Sequence, residues 1–343
     1  MAVDRLLENL ERLCSFNGIS GRENAVADEI ERQITGYCTC YRDNLGNIIA
    51  EKQGKKRSNY KLMISAHMDE VGMIVTGITS DGMLRLATVG GIDSRVILGR
   101  GVTVGSGISG VIGTKAVHMQ SAEERGTAVS ADDLFIDIGA KDKADAEQLV
   151  SLGESVTFDS PFIRFGNGFI KGKAIDDRFG CALMIELIRS EPEYDTTFVF
   201  CTQEEIGLRG AKAAAYSVNP DFAIVCETTT AADIAGVPSE KQVCVLGKGA
   251  VVSYMDRHTM YDKELYDLAF QTAEEQKLSC QTKSMVAGGN DAGAIHTAHG
   301  GVRTMAVSIP CRYLHSPSCV IQESDMQSCL DLVKAMAERI QAL

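Results

Sequence analysis

Two residues on an extended segment, His67 and Asp69, open the chemistry of this chain: two positions apart, they point the same way, so the carboxylate can hold the imidazole from its far side. Asp176 and Asp177 stand just before the helical run Arg178–Arg189. That pair fits an N-cap followed by a first-turn acid, or a carboxylate bridging two metals with its neighbour in support. Glu204 and Glu205 follow the apolar run 196–202, where adjacent side chains diverge, so one can ligate while the other takes a proton. Glu227 comes after Phe222–Cys226, and His315 after Thr304–Ile309. Singly, each is an ordinary acidic loop or a strand-edge histidine. Together, five strand or helix junctions carry only His, Asp or Glu, the ligand types of a hard or borderline cation.

The elements that would position them follow from pattern. Val3–Cys14 and Glu23–Ile34 read as helices separated by Gly18–Gly21. Thr39–Arg42 and Ile48–Glu51 read as strands, and Lys61–Ala66 as a buried strand. Residues 72–165 carry 14 of the 33 glycines among short Val, Ile and Thr alternations, which predicts a small β-barrel or sandwich whose one helix falls at Ala140–Val150. After Gly166 strands alternate with helices: Thr196–Cys201 and a helix from about Leu208, then Phe222–Cys226, then Thr304–Ile309. We read an α/β domain, a mixed sheet sandwiched by helices, in two parts (1–71 and 166–343), with the β module 72–165 inserted between them. In such sheets functional groups collect at the carboxyl ends of strands.

Composition narrows the class. With 46 acidic against 34 basic residues the net charge is −12, which argues against nucleic acid or an anionic membrane as partner. Eleven cysteines with no CxxC pair read as free thiols of a reducing compartment, and the amphipathic start MAVDRLLENLERLC reads as a helix rather than a leader, so a cytoplasmic protein is expected. Gly105, Gly107 and Gly110 spell GxGxxG but lead into a further strand-like run rather than a helix, so a dinucleotide site is rejected. His118, His258, His296 and His299 are expected to be structural, and GGNDAGAIH (288–296) to be either a helix cap or part of a substrate pocket.

The segments SAHMDEVG, KAIDDRFGC, TQEEIGLRGA, VCETTTAADIAGVP, GGNDAGAIH and RYLHSPS, in that order, resemble the self-compartmentalising dinuclear metallo-aminopeptidases. That family includes the tetrahedral and glutamyl aminopeptidases, some of them called endoglucanase M. The resemblance covers nearly the whole chain. It implies a metal-dependent aminopeptidase acting on peptide amino termini, with two divalent cations (Zn or Co, Mn as a further choice) activating a water. It implies that His67 and Glu227 bind one metal, that Glu205 and His315 bind the other, and that Asp176 bridges them. It implies too that Glu204 is the general base, Asp69 the carboxylate behind His67, and Asp177 the partner of the bridging residue. Glu227 departs from the Asp of many relatives by one methylene, although its spacing to Asp233 still fits. Dimers through residues 72–165, building a hollow dodecamer, are also implied. Rival readings are a dinuclear-metal deacylase or dipeptidase, an endoglucanase (disfavoured by the absence of tryptophan), and a non-catalytic metal-binding assembly protein.

Overall fold

The computed structural model describes residues 2–343. Two amphipathic helices, α1 (Ala2–Cys14) and α2 (Asn24–Ile34), lead into strands β1 (Thr39–Arg42), β2 (Ile48–Lys52) and β3 (Leu62–His67). The chain then leaves the sheet for six strands, β4 (Gly72–Ile78), β5 (Leu84–Val89), β6 (Gly101–Val104), β7 (Ile108–Gly113), β8 (Phe135–Asp137) and β9 (Ser155–Phe158). These close into a barrel in the order β4-β5-β8-β7-β6-β9 around Met73, Val75, Leu84, Val104, Ile136 and Val156. The expected helix at 140–150 is present as Lys143–Leu149, capped by Asp142, which accepts from the Asp145 N–H. Gly105 and Gly107 sit at positive φ in the β6–β7 hairpin and Gly110 on β7, so the GxGxxG run is a turn and a strand.

Back in the first domain, β10 (Ile163–Phe165) and β11 (Phe169–Gly172) pair with a late strand in a small three-stranded sheet. The remaining principal elements are, in chain order, helix α3 (Ile175–Arg189), β12 (Thr196–Cys201), α4 (Arg209–Val218), β13 (Phe222–Thr230), β14 (Ala250–Val252), α5 (Lys263–Gln276), β15 (Cys280–Thr282), α6 (Ala292–Ile295), β16 (Arg303–Cys311), β17 (Cys319–Gln322) and α7 (Glu323–Gln341). The main sheet runs β1-β2-β12-β3-β13-β16-β14-β15. Its four inner strands β12, β3, β13 and β16 are parallel, and the strands flanking them, β2 and β14, run antiparallel to β12 and β16. Being covered on both faces, the inner strands are continuously apolar, LMISA in β3 and FVFC in β12. One face packs against α1, α2, α3, α5 and α7, the other against α4 and α6.

This topology positions the site. Parallel pairing in register puts the carboxyl ends of β12, β3, β13 and β16 along one edge, and the chain reverses its strand order at β3. The barrel leaves from the end of β3, and its last strand ends at Phe158, which lines one pocket with Asp176, Glu205 and His315, so both of its junctions lie at that edge. No helix of the described residues is long and apolar enough to cross a membrane. All eleven cysteines are free, eight of them buried.

Candidate metal centre

His67 closes β3, fully buried, and its Nδ1 lies 3.1 Å from the Asp69 carbonyl oxygen and 3.4 Å from Asp69 Oδ1. With Nδ1–H donating there, Nε2 is left as a lone-pair donor facing the cluster. It stands 3.3 Å from Asp176 Oδ1 and 3.6 Å from Glu227 Oε1. On the other side of Asp176, His315 Nε2 lies 3.3 Å from Oδ2 and 3.5 Å from Glu205 Oε2. Asp176 therefore stands between two histidine–carboxylate pairs, with His67 and Glu227 on its Oδ1 side and His315 and Glu205 on its Oδ2 side. The structure brings these five residues, distant in the chain, within a few ångströms of one another.

Asp176 and Asp177 are assigned within α3, but their φ/ψ values are not helical, and the peptide between them is cis. Asp177 Oδ1 accepts from the Gly180 N–H at 2.9 Å, as an N-cap does. Its Oδ2 is sealed from solvent and has no hydrogen-bond partner. Asp177 thus caps the helix with Oδ1 and leaves Oδ2 buried and unpaired. Donor atoms of His67, Asp177 and Glu227 lie within 4.8 Å of one another, as do those of His67, Asp176 and Glu205.

Glu227 lies inside β13 rather than after it, because that strand runs on to Thr230 paired with β16. Its Oε1 accepts from the N–H of Thr228 at 2.9 Å, so the side chain folds back along its own strand and takes up its extra methylene there. Asp69, wholly buried, accepts from Ser20 Oγ and the Glu205 N–H on Oδ2, and from the Glu204 N–H on Oδ1. One carboxylate thereby ties His67 to the loop that carries both glutamates. The Glu204 carboxylate itself accepts no hydrogen bond among the described residues and lies within the electrostatic reach of His67, Glu227, Asp291 and Glu205.

Several contacts here leave no mark in the sequence. His315, at a positive φ of 56°, donates from Nδ1 to the carbonyl of Gly91 at 2.9 Å, so the barrel holds this histidine and orients its Nε2. Gly90, at φ +85°, and Gly91 lie so close that a Cβ on either would come 3.3 Å from Glu205 Cβ and His315 Nδ1 respectively. Asp233 takes both the Nε and NH2 groups of Arg312, at 2.7 and 2.9 Å, and so ties the exit of β13 to the turn that presents His315. Behind the ligand loop Arg178, fully buried, donates to the carbonyls of Leu13, Phe16, Gly18 and Met68, while Glu70 receives Lys173 at 2.8 Å.

The other histidines stand apart. His118 is exposed on the barrel, His296 Nδ1 donates to the Ala292 carbonyl one turn earlier, and His299 stacks on Tyr216. In GGNDAGAIH the first turn is bonded by Asn290, whose Oδ1 accepts from the Ala292 N–H. Asp291 makes no cap, and both its oxygens are buried without a partner.

Charge and spacing both suit a divalent cation pair. Burial pushes Glu205 up to about 8 and Glu227 to about 7, and drives Glu204 and Asp177 well above the usual carboxylate range. Burial works to lower His315, yet its contacts with Asp176 and Glu205 outweigh this and raise it to about 10. A cation binding among such groups would displace the protons they carry. The four histidine–carboxylate separations, 3.3, 3.6, 3.3 and 3.5 Å, are long for hydrogen bonds. They match the edge of a tetrahedron of ligands about 2.0–2.1 Å from a metal, which is about 3.3–3.4 Å.

The comparisons with known proteins place the chain in a family. The family model described as M42 glutamyl aminopeptidase matches residues 46–332, and the chain belongs to that family. A lysyl aminopeptidase of Pyrococcus furiosus is 30% identical, covering 98% of each chain. Among solved structures, an aminopeptidase of the archaeon Desulfurococcus kamchatkensis superposes with a TM-score of 0.93 at 31% identity, covering 98% of this chain and 95% of that one. The TET1 peptidase of Pyrococcus horikoshii, which can assemble into a tetrahedron or a large octahedral shell, gives 0.86 at 33%, covering 97% and 99%. This protein is accordingly an enzyme, a hydrolase of the aminopeptidase class, with the mixed α/β fold and inserted barrel expected from its sequence.

Proposed function

We propose that the protein removes amino-terminal residues from peptides at a centre of two divalent cations. His67 and Glu227 would hold one, His315 and Glu205 the other, and Asp176 both. The observation that carries this is the pair of half-sites sharing Asp176, with every histidine–carboxylate separation between 3.3 and 3.6 Å. Two imidazoles among carboxylates suit Zn or Co, and also Mn, better than Mg or Ca. When bound, such cations supply Lewis acidity toward a peptide carbonyl and toward water.

The chain's own residues do the rest. Glu204, uncommitted and raised by burial, takes a proton from the attacking water and returns it to the departing amine. Asp69 fixes the backbone of Glu204 while holding His67 in the tautomer that frees Nε2. Asp177 keeps the start of α3 in place beside Asp176. Glu204→Gln keeps the length of the side chain but cannot accept the proton, so turnover should fall by about 100-fold or more with metal content unchanged. Near-parental activity in that variant would remove Glu204 from the role.

The same reading extends to assembly and location. Residues 72–165 would form the dimerisation module, dimers would build a dodecamer admitting only peptides, and the enzyme would work in the cytoplasm. Supporting the first two are the closed barrel standing off the main sheet and the shells formed by the Pyrococcus horikoshii relative.

A further inference from the structure

Four consecutive backbone N–H groups after β12 are each bonded by a side chain from another segment. Thr202 donates to Asn47 Oδ1 at 2.9 Å, Gln203 to Glu23 Oε1 at 3.1 Å, Glu204 to Asp69 Oδ1 at 3.0 Å and Glu205 to Asp69 Oδ2 at 3.2 Å. The loop that carries the two glutamates is thus shaped by side chains rather than by a strand or a helix. Asp69 touches His67 and belongs to the metal centre already described. Asn47 holds the root of the loop and also donates from Nδ2 to the Gly210 carbonyl at 3.0 Å. Glu23 has no such connection to the centre, and it comes from the segment between the first two helices.

Glu23 stands at the N-cap position of α2, where an acidic side chain ordinarily accepts from the first N–H groups of the helix. It makes no such bond. Buried at 5% exposure, its Oε1 accepts instead from the Gly21 N–H at 2.7 Å and, across the structure, from the Gln203 N–H at 3.1 Å. Gln203 has a φ of 56°, in the left-handed region that residues with a Cβ occupy only at a cost and only where their surroundings hold them. The next residue is Glu204. Its carboxylate accepts no hydrogen bond among the described residues, so the backbone alone sets where it stands. The same N-terminal segment grips the neighbouring loop twice more, through the Gly18 carbonyl on the Glu70 N–H at 3.0 Å and Ser20 Oγ on Asp69 at 2.6 Å.

We propose that Glu23 is a positioning residue for the general base: by holding Gln203 in its left-handed turn, it fixes the place from which the unanchored Glu204 side chain reaches the attacking water. The inference rests on the aminopeptidase reading above and adds to it a residue of the N-terminal segment. What the role asks of Glu23 is an acceptor oxygen rather than a charge. A glutamine amide oxygen has two lone pairs and can serve both N–H groups. A glycine at position 203 takes φ > 0 without steric cost, so it depends less on the brace.

The test uses the full-length, zinc-loaded enzyme on the aminoacyl p-nitroanilide that the parent cleaves fastest. In Glu23→Met, which fills the same space without an acceptor, kcat should fall by about 10- to 100-fold, the factor for one buried donor left unpaired, with KM within about threefold of the parent's. Glu23→Ala, which cannot crowd the site, should behave alike. Glu23→Gln should stay within about threefold of the parent, and adding Gln203→Gly to Glu23→Met should recover at least about fivefold in kcat. Zinc per chain should not change, and the amides of residues 202–205 should exchange with solvent faster in Glu23→Met. A parental kcat or unchanged exchange in Glu23→Met overturns the assignment. So does a Glu23→Gln variant as slow as Glu23→Met, which would make charge the operative feature, or a fall matched by loss of zinc, which would place the effect on Glu205. A parent that cleaves no aminoacyl p-nitroanilide overturns the aminopeptidase reading itself, while the exchange measurement still tests the brace, so the two failures are distinct.

Discussion

Replacing Asp69 by asparagine exchanges one oxygen for an NH2 group and tests how the site is held together. The carboxylate uses both oxygens on different backbone donors, Oδ1 for the Glu204 N–H at 3.0 Å and Oδ2 for the Glu205 N–H at 3.2 Å, with Ser20 Oγ at 2.6 Å on the latter. An amide has a single acceptor oxygen. Whichever way it turns, its NH2 group faces one of the two N–H groups in a place with no access to solvent. Ser20 can rotate its hydroxyl to suit, but a backbone N–H cannot. The variant thus loses one charge-assisted hydrogen bond, about 1.5–3 kcal/mol, and leaves a buried donor unpaired, for a total of roughly 2–4 kcal/mol. If that cost falls on the placement of Glu204 and Glu205 in the transition state, kcat/KM drops by roughly 30- to 1000-fold at about 1.4 kcal/mol per decade. The assay is steady-state hydrolysis of an aminoacyl p-nitroanilide at saturating metal, with a thermal melt to verify folding. A kcat/KM indistinguishable from the parent's, with metal in place, would refute the claim that Asp69 organises the glutamate loop.

Two further outcomes follow from the structure. Glu29 is buried at 4% exposure between Arg12, Arg32 and Gln33, and its hydrogen bonds, Arg32 first, hold it at about 2 against an ordinary 4.5. Its folded value is depressed, so its stabilisation is complete above about 4.5 and is lost as the pH falls toward 2. Glu29→Gln should cost about 1–2 kcal/mol at neutral pH, discounted because Arg12 and Arg32 are largely exposed, and melts of parent and variant should converge in acid; a gap that does not narrow contradicts the assignment. For assembly, light scattering on the purified protein should give a multiple of the 36.9 kDa chain mass, and the single-chain mass would contradict the proposed oligomer.

The half-sites were legible to the degree that their residues end strands. His67 and the Glu204–Glu205 pair stood out because β3 and β12 are short apolar runs that end in, or are followed within three residues by, a histidine or an acid, and period and polarity locate such stops. Glu227 was harder, since β13 and β16 pair for nine residues and carry the strand past the position where apolarity ends. The glycine-rich texture of residues 72–165 signalled a β module, because tight hairpins need φ > 0 at their turns, but it carried no sign that Gly91 would hold His315, 224 positions away. That bond uses a backbone carbonyl, which every residue has. The same applies to the Glu204 and Glu205 N–H groups on Asp69 and to the carbonyls around Arg178.

The central claim is that the shared carboxylate of Asp176 lies between two cations. Anomalous diffraction at the zinc edge, from crystals of zinc-loaded enzyme, tests it most directly. Two peaks about 3.5–4 Å apart are expected, one between His67 and Glu227 and the other between His315 and Glu205, with Asp176 touching both. A lone peak away from Asp176, or none within reach of these five side chains, would contradict the account.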